Sequence, residues 1–129
     1  MIETHISEIM TTSVRTIRPD TDARTAAEVL SENQIGSLIV VNEADEPVGI
    51  FTESDIVRII AEGSDASSVE VSEFMSSPLV TAESDEVIQD AARKMKEENI
   101  KKLPVIDDGK LVGIITTTDL SDYIPRSRI

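Results

Sequence analysis

The chain has 129 residues, of which 40% are hydrophobic and 29% charged, and 12 Lys+Arg against 25 Asp+Glu give a formal net charge of −13. Cysteine and tryptophan are absent and aromatics make up 2%, which excludes a disulfide scaffold, a thiolate metal site and a cysteine nucleophile. The acidity repels phosphate backbones, and so few aromatic faces leave no base-stacking platform, so binding to nucleic acid or an anionic membrane is disfavoured. The length suits one compact domain, or two small units that share a core. No apolar run nears the ~18 residues of a membrane span. Met1-Ile2-Glu3-Thr4-His5 lacks the basic and then apolar pattern of a signal peptide, so the expected location is the cytoplasm. The acidity itself reads as a device for solubility.

In chain order, Val14–Ile17 is apolar and β-branched enough for a short strand. Asp20, or a residue beside it, offers an N-cap. From Ala23 a helix is predicted, with Ala26, Ala27, Leu30 and Ile35 at helical spacing and Asn33 near its end. Leu38-Ile39-Val40-Val41 is a continuous apolar run, the pattern of a strand buried on both faces. A polar turn follows at Asn42–Pro47, and then a strand at Val48–Thr52. Gly49 inside that strand marks a place where something approaches the backbone. Ser54 or Asp55 caps a second helix that runs to about Ala61.

The same string is then written again. A shift of 65 places Ser7, Glu8 and Met10 on Ser72, Glu73 and Met75, Ala26-Ala27 on Ala91-Ala92, and Leu38 and Val40 on Leu103 and Val105. One residue is lost at the turn, and a shift of 64 then places Val48-Gly49-Ile50 on Val112-Gly113-Ile114 and Asp55 on Asp119. Sixteen of the 48 aligned positions are identical. Internal repeats of this kind decide the fold. The second copy predicts a strand at Leu79–Ala82, a cap at Asp85, and a helix whose apolar face is Val87, Ala91, Ala92 and Met95, with Asn99 near its end. It continues with a strand at Leu103–Ile106, a turn at Asp107–Lys110, a strand at Leu111–Thr116, and a helix from Thr118/Asp119 to about Tyr123. The expected division is a first repeat at 1–62, a linker at 63–71, a second repeat at 72–124 and a frayed tail at 125–129. The fold class is α/β (α+β): two β-α-β-β-α repeats packed with pseudo-twofold symmetry.

This arrangement resembles a tandem pair of CBS (cystathionine β-synthase) domains, a Bateman module. Gly49-Ile50-Phe51-Thr52-Glu53-Ser54-Asp55 and Gly113-Ile114-Ile115-Thr116-Thr117-Thr118-Asp119 both fit that family's Gly-x-x-Thr/Ser-x-x-Asp/Asn signature. Ile100–Asp107 resembles its second-strand signature. The resemblance implies a regulatory module rather than an enzyme, one that senses adenosine nucleotides (AMP, ADP, ATP) or S-adenosylmethionine in clefts between the repeats and passes the state to a partner protein. It also implies pairing into a homodimer through the helical faces.

The resemblance implies that Asp55 and Asp119 accept from the hydroxyls of a ribose; the alternative is capping of their own helices. Thr52, Thr116 and Thr118 supply hydroxyls at strand-to-helix turns, where a phosphate or ordinary capping would use them. Lys101 and Lys102 would reach phosphates, and their counterparts Gly36 and Ser37 could not. The adenine slot implied by the resemblance draws on Thr16, Ile17, Ile35 and Leu38 in one copy and on Thr81, Ala82, Ile100 and Pro104 in the other. Most of these are equally explained as core positions. Arg15, Arg18 and Arg58 are further candidates for phosphate. The single histidine, His5, lies at an N-terminus expected to fray, so no His-based triad or His-rich metal site is expected in one chain. No cofactor is required, and Mg²⁺ would enter only with a bound nucleotide. A scaffold with vestigial clefts is the alternative function, and nucleic-acid binding is the less favoured third.

Overall fold

The computed structural model of the chain describes residues 3–123, so the expected tail at 125–129 lies outside the described residues. Those residues fall into two compact units whose boundaries depart from the sequence repeat. One is Arg15–Leu79, and the other joins the residues up to Val14 to those from Val80 onward. Each repeat is thus completed by the segment that precedes the other.

In the unit Arg15–Leu79, β1 (Thr16–Ile17) pairs in parallel with β2 (Ser37–Val41), which pairs antiparallel with β3 (Pro47–Thr52). Helices α1 (Ala23–Asn33) and α2 (Glu53–Ala61) pack with this sheet around Leu30, Leu38, Val40, Phe51 and Ile59. Leu38–Val41 is buried along its whole length, as its unbroken apolar run requires. The cap of α1 is Asp22 rather than Asp20. Its carboxylate accepts from the Thr25 backbone N–H at 3.0 Å and from the Thr25 hydroxyl at 2.7 Å. Gln34 ends the helix in the left-handed region at φ 54°.

Residues 63–71 form no loose linker. The backbone N–H groups of Ala23 and Arg24 donate to the carbonyls of Val69 and Ala66, and that of Val71 donates to Thr21. The first turn of any α-helix leaves donors without intrahelical partners, and here this segment supplies the acceptors. The short helix α3 (Val71–Phe74) then places Val71 fully inside the core.

The other unit repeats the device with the opposite end of the chain. The Ile88 N–H at the start of α4 (Ile88–Glu98) donates to Thr4, and Ile6, in a short 3-10 turn at Ile6–Glu8, is 0% exposed among Ala91, Met95, Leu103 and Ile115. Thr4 and Ile6 match Val69 and Val71 under the shift of 65. Strands β4 (Lys102–Asp107) and β5 (Lys110–Thr116) form an antiparallel hairpin, and α5 (Thr117–Tyr123) follows. Asp108 and Gly109 turn the hairpin with φ 50° and 78°, the pattern that favours Asp-Gly in a two-residue turn.

Two expectations are corrected in this unit. The inward face of α4 is Ile88, Ala91 and Met95, while Ala92 is exposed, and Val87 rather than Asp85 occupies the cap position. The predicted strand Leu79–Ala82 shrinks to a single parallel bridge between Ala82 and Val105. The reason lies in the partner strand. In the first repeat the Ile39 N–H donates to the Arg15 carbonyl and extends β1 upstream. Pro104 stands where Ile39 would align and has no N–H to offer Val80.

Both signature glycines meet the chain itself. A Cβ at Gly49 would lie 2.5 Å from Met75 Sδ and 3.1 Å from the Ser76 carbonyl oxygen. One at Gly113 would lie 2.7 Å from Met10 Sδ and 2.8 Å from the Thr11 carbonyl oxygen. Ser76 and Ile50 exchange backbone hydrogen bonds, as do Thr11 and Ile114. The close approach predicted at these glycines is made by the exchanged lead-in segments.

Candidate functional site

The turn that ends β5 is built by its own side chains. The Thr116 N–H donates to Asp119 Oδ2 at 2.9 Å, and the Asp119 N–H donates to Thr116 Oγ1 at 3.1 Å. This reciprocal pair satisfies donors that the helix start leaves open. Asp119 is half-buried, and its Oδ1 has no partner among the described residues. The Thr117 N–H donates to the Lys101 carbonyl at 3.0 Å, and Lys102 lies opposite Thr116 in the hairpin. The two lysines therefore flank this turn in the fold. Lys101 and Thr118 are exposed, and Lys102 and Thr116 half-buried.

The turn that ends β3 has the same backbone and different chemistry. Thr52, not Ser54 or Asp55, is the N-cap of α2, and Asp55 lies three residues inside. Asp55 Oδ2 accepts from the Thr52 N–H at 2.8 Å, and Oδ1 accepts from Arg58 Nη2 at 3.0 Å. Asp55 is 6% exposed, the one buried charged residue among those described. Burial of a carboxylate calls for this degree of pairing. Arg58 also donates to the Phe74 carbonyl at 2.8 Å and lies over the Phe74 ring, 5.4 Å from its centroid. The matched position in the second repeat is Asp122. Glu53, exposed, stands where the other turn has Thr117.

The remaining candidates divide by burial. Leu38, Ala82 and Pro104 are buried in their cores, and Ile17 and Ile100 are half-buried against them. Ala82 turns its backbone to β4: its N–H donates to Pro104, and its carbonyl accepts from Ile106. Thr16 is exposed, and the Thr81 carbonyl accepts from Lys94 Nζ at 2.8 Å. Ile35 lines a groove of about 610 Å³ on the Arg15–Leu79 unit, with Leu30, Gly36, Glu53, Ile56 and Val57; Thr52 and Asp55 do not line it. The three arginines are already engaged. Arg15 donates to Asn33, Arg18 to Asn42 and Asp45, and Arg58 as described. They leave the lysine pair as the basic groups beside a signature turn. Sequence reasoning missed the Asp55–Arg58 pair, although the i, i+3 spacing and the change to Asp122 were legible. No group of three or more His, Asp or Glu side chains able to hold a metal occurs among the described residues, and no helix there is long and apolar enough to cross a membrane.

The family model for the CBS domain matches residues 6–62 and 71–126. The chain belongs to the CBS domain family. Its fold is shared with the CBS domain pair of protein MJ0100, solved in complex with 5′-methylthioadenosine and S-adenosyl-L-methionine, at a TM-score of 0.90 and 30% identity over 98% of this chain and 100% of that one. An uncharacterized protein of Methanopyrus kandleri is 37% identical over 122 residues, 93% of this chain and 62% of its own length. A homoserine O-acetyltransferase of Methanohalobium evestigatum is 38% identical over 122 residues, 94% of this chain and 24% of that protein. The chain thus spans less than two thirds of either relative, and the second match concerns only a fraction of that enzyme. CBS pairs are in general ligand-binding regulatory modules, and the two matched segments cover both signature turns.

Proposed function

We propose that this CBS pair is a regulatory module that binds an adenosine compound and transmits its bound state to a partner protein. The observation that carries the reading is Asp119. Its carboxylate is held in place through Oδ2, has no partner for Oδ1 among the described residues, and has Lys101 and Lys102 beside it. A ribose diol supplies two O–H donors for such an acceptor, and lysines suit a phosphate. The structural neighbour that carries 5′-methylthioadenosine and S-adenosyl-L-methionine supports the same ligand class. AMP, ADP and ATP as regulators of an energy sensor, and Mg²⁺ carried by a nucleotide, are the finer possibilities to be separated. The role is regulatory rather than catalytic.

Thermal shift with AMP, ADP, ATP, S-adenosylmethionine, 5′-methylthioadenosine and NADH, each with and without Mg²⁺, tests the reading. Ligand at ~100 times its dissociation constant stabilises by about 2.7 kcal/mol, roughly 10 °C for a chain of this size. A shift that is lost in Asp119→Asn and reduced in Lys101→Ala is expected. Absence of a shift with every compound refutes it.

Homodimer formation belongs to the same proposal. Val57 and Ile60 on α2 are 65% and 69% exposed, large apolar side chains that a partner surface would cover. Light scattering should give twice 14.1 kDa; the monomer mass at micromolar concentration refutes pairing.

A further inference from the structure

We infer that Arg58 withholds Asp55 from ligand, so that each chain takes up one adenosine compound, at Asp119, and not two. The inference rests on the ligand class proposed above and adds the number and place of the sites.

The two acids begin as equals. Each lies three residues after a threonine, and each commits Oδ2 to that threonine's backbone N–H, at 2.8 and 2.9 Å. What remains for a diol is chiefly Oδ1. At Asp55 that oxygen is taken by Arg58 Nη2 at 3.0 Å. The guanidinium is held at two further points, the Phe74 carbonyl and the Phe74 ring. A ribose approaching Asp55 would have to break this charge-assisted hydrogen bond and displace a guanidinium that Phe74 holds in place. Glu53, two residues before Asp55, would also oppose a phosphate. At Asp119 the residue three positions on is Asp122, which is an acceptor and cannot close the same bridge. Phe74 belongs to the lead-in segment exchanged between the repeats. The lock on Asp55 therefore depends on α3 staying docked to its own unit.

Isothermal titration of the full chain with S-adenosylmethionine, and separately with AMP, decides the matter. Circular dichroism melts first confirm that every variant is folded. Wild type is expected to bind one equivalent of at least one of the two compounds. Asp119→Asn, which keeps an acceptor for the Thr116 N–H, should weaken binding at least tenfold. Arg58 is 57% exposed, so Arg58→Ala leaves no core cavity and should add a second site. Arg58→Lys keeps a cation within reach of Asp55 and should stay at one. Two sites in wild type, a single site that survives Asp119→Asn, or a single site in Arg58→Ala would each overturn the inference while leaving the ligand class standing. Failure of both compounds to bind any variant would overturn the two together.

Discussion

Adding one methyl group at each signature glycine should separate two contacts that the repeat makes look alike. Neither Gly49 nor Gly113 has a positive φ, so alanine is tolerated by the backbone at both and the cost is steric. At Gly49 the new Cβ meets Met75 Sδ at 2.5 Å, the end of a flexible side chain, and the nearest backbone atom is 3.1 Å away. At Gly113 the Thr11 carbonyl oxygen stands at 2.8 Å, and that residue is tied to Ile114 by two backbone hydrogen bonds. Overpacking of this kind costs about 1–3 kcal/mol, and the stiffer unfolded chain returns about 0.4–1 kcal/mol. Gly49→Ala should then lose about 1 kcal/mol and Gly113→Ala about 2 kcal/mol. At roughly 4 °C per kcal/mol, the melting midpoint drops about 4 and 8 °C. Urea titration and thermal melts of both variants measure this. A double-mutant cycle sharpens it. Met75→Ala should recover much of the loss at Gly49→Ala, whereas Met10→Ala should recover little at Gly113→Ala, because the carbonyl remains. Equal losses at the two glycines, or equal rescue, would refute the argument from the contacts.

Three further outcomes follow from the same geometry. Ile6→Ala removes a fully buried side chain at a cost of about 2–5 kcal/mol, and hydrogen exchange should rise from Val80 onward rather than in Arg15–Leu79; the reverse pattern would show that the lead-in belongs to its own repeat. Asp55→Ala removes the capping acceptor of α2 together with the partner of Arg58, so a loss of about 1–3 kcal/mol is expected by denaturant titration, and an unchanged midpoint would contradict it. The Ser84 hydroxyl, at 2.6 Å, and then the Ser84 N–H hold the Asp107 carboxyl below its ordinary value of 3.8. A carboxyl lowered on folding adds stability above its unfolded value and loses it as pH falls through the folded one. The stability gap between wild type and Asp107→Asn should therefore be full near neutrality and shrink below about pH 4; a gap constant across an acid titration would refute this.

Much of the architecture was legible before any coordinates. The repeat, the buried run at Leu38–Val41, the Asp-Gly hairpin, the end of α2 and the two signature turns all rest on near neighbours in sequence. Periodicity, turn chemistry and a shift of the chain against itself report on those directly. The boundaries of the caps were less legible. Asp20 and Asp85 looked suitable by residue type, and only hydrogen-bond geometry separates an acid that caps, Asp22, from one that stands nearby. The shortening of the strand before Ala82 was written in Pro104, but the missing N–H had meaning only once Arg15 was seen to use its counterpart in the other repeat.

By itself, the sequence determined the repeated unit, the family and the residue types at each signature turn, because these are local patterns carried along the chain. The tertiary structure decided which segment completes which unit, since the donors at the start of α1 and α4 are satisfied by residues far away in sequence or in the other copy's lead-in. It also decided which of two matched acids is bridged to an arginine. Asp55 and Asp119 occupy the same place in the same motif. The difference between them is an arginine one turn along the helix, whose spacing the sequence shows but whose hold on the carbonyl and ring of Phe74 it does not.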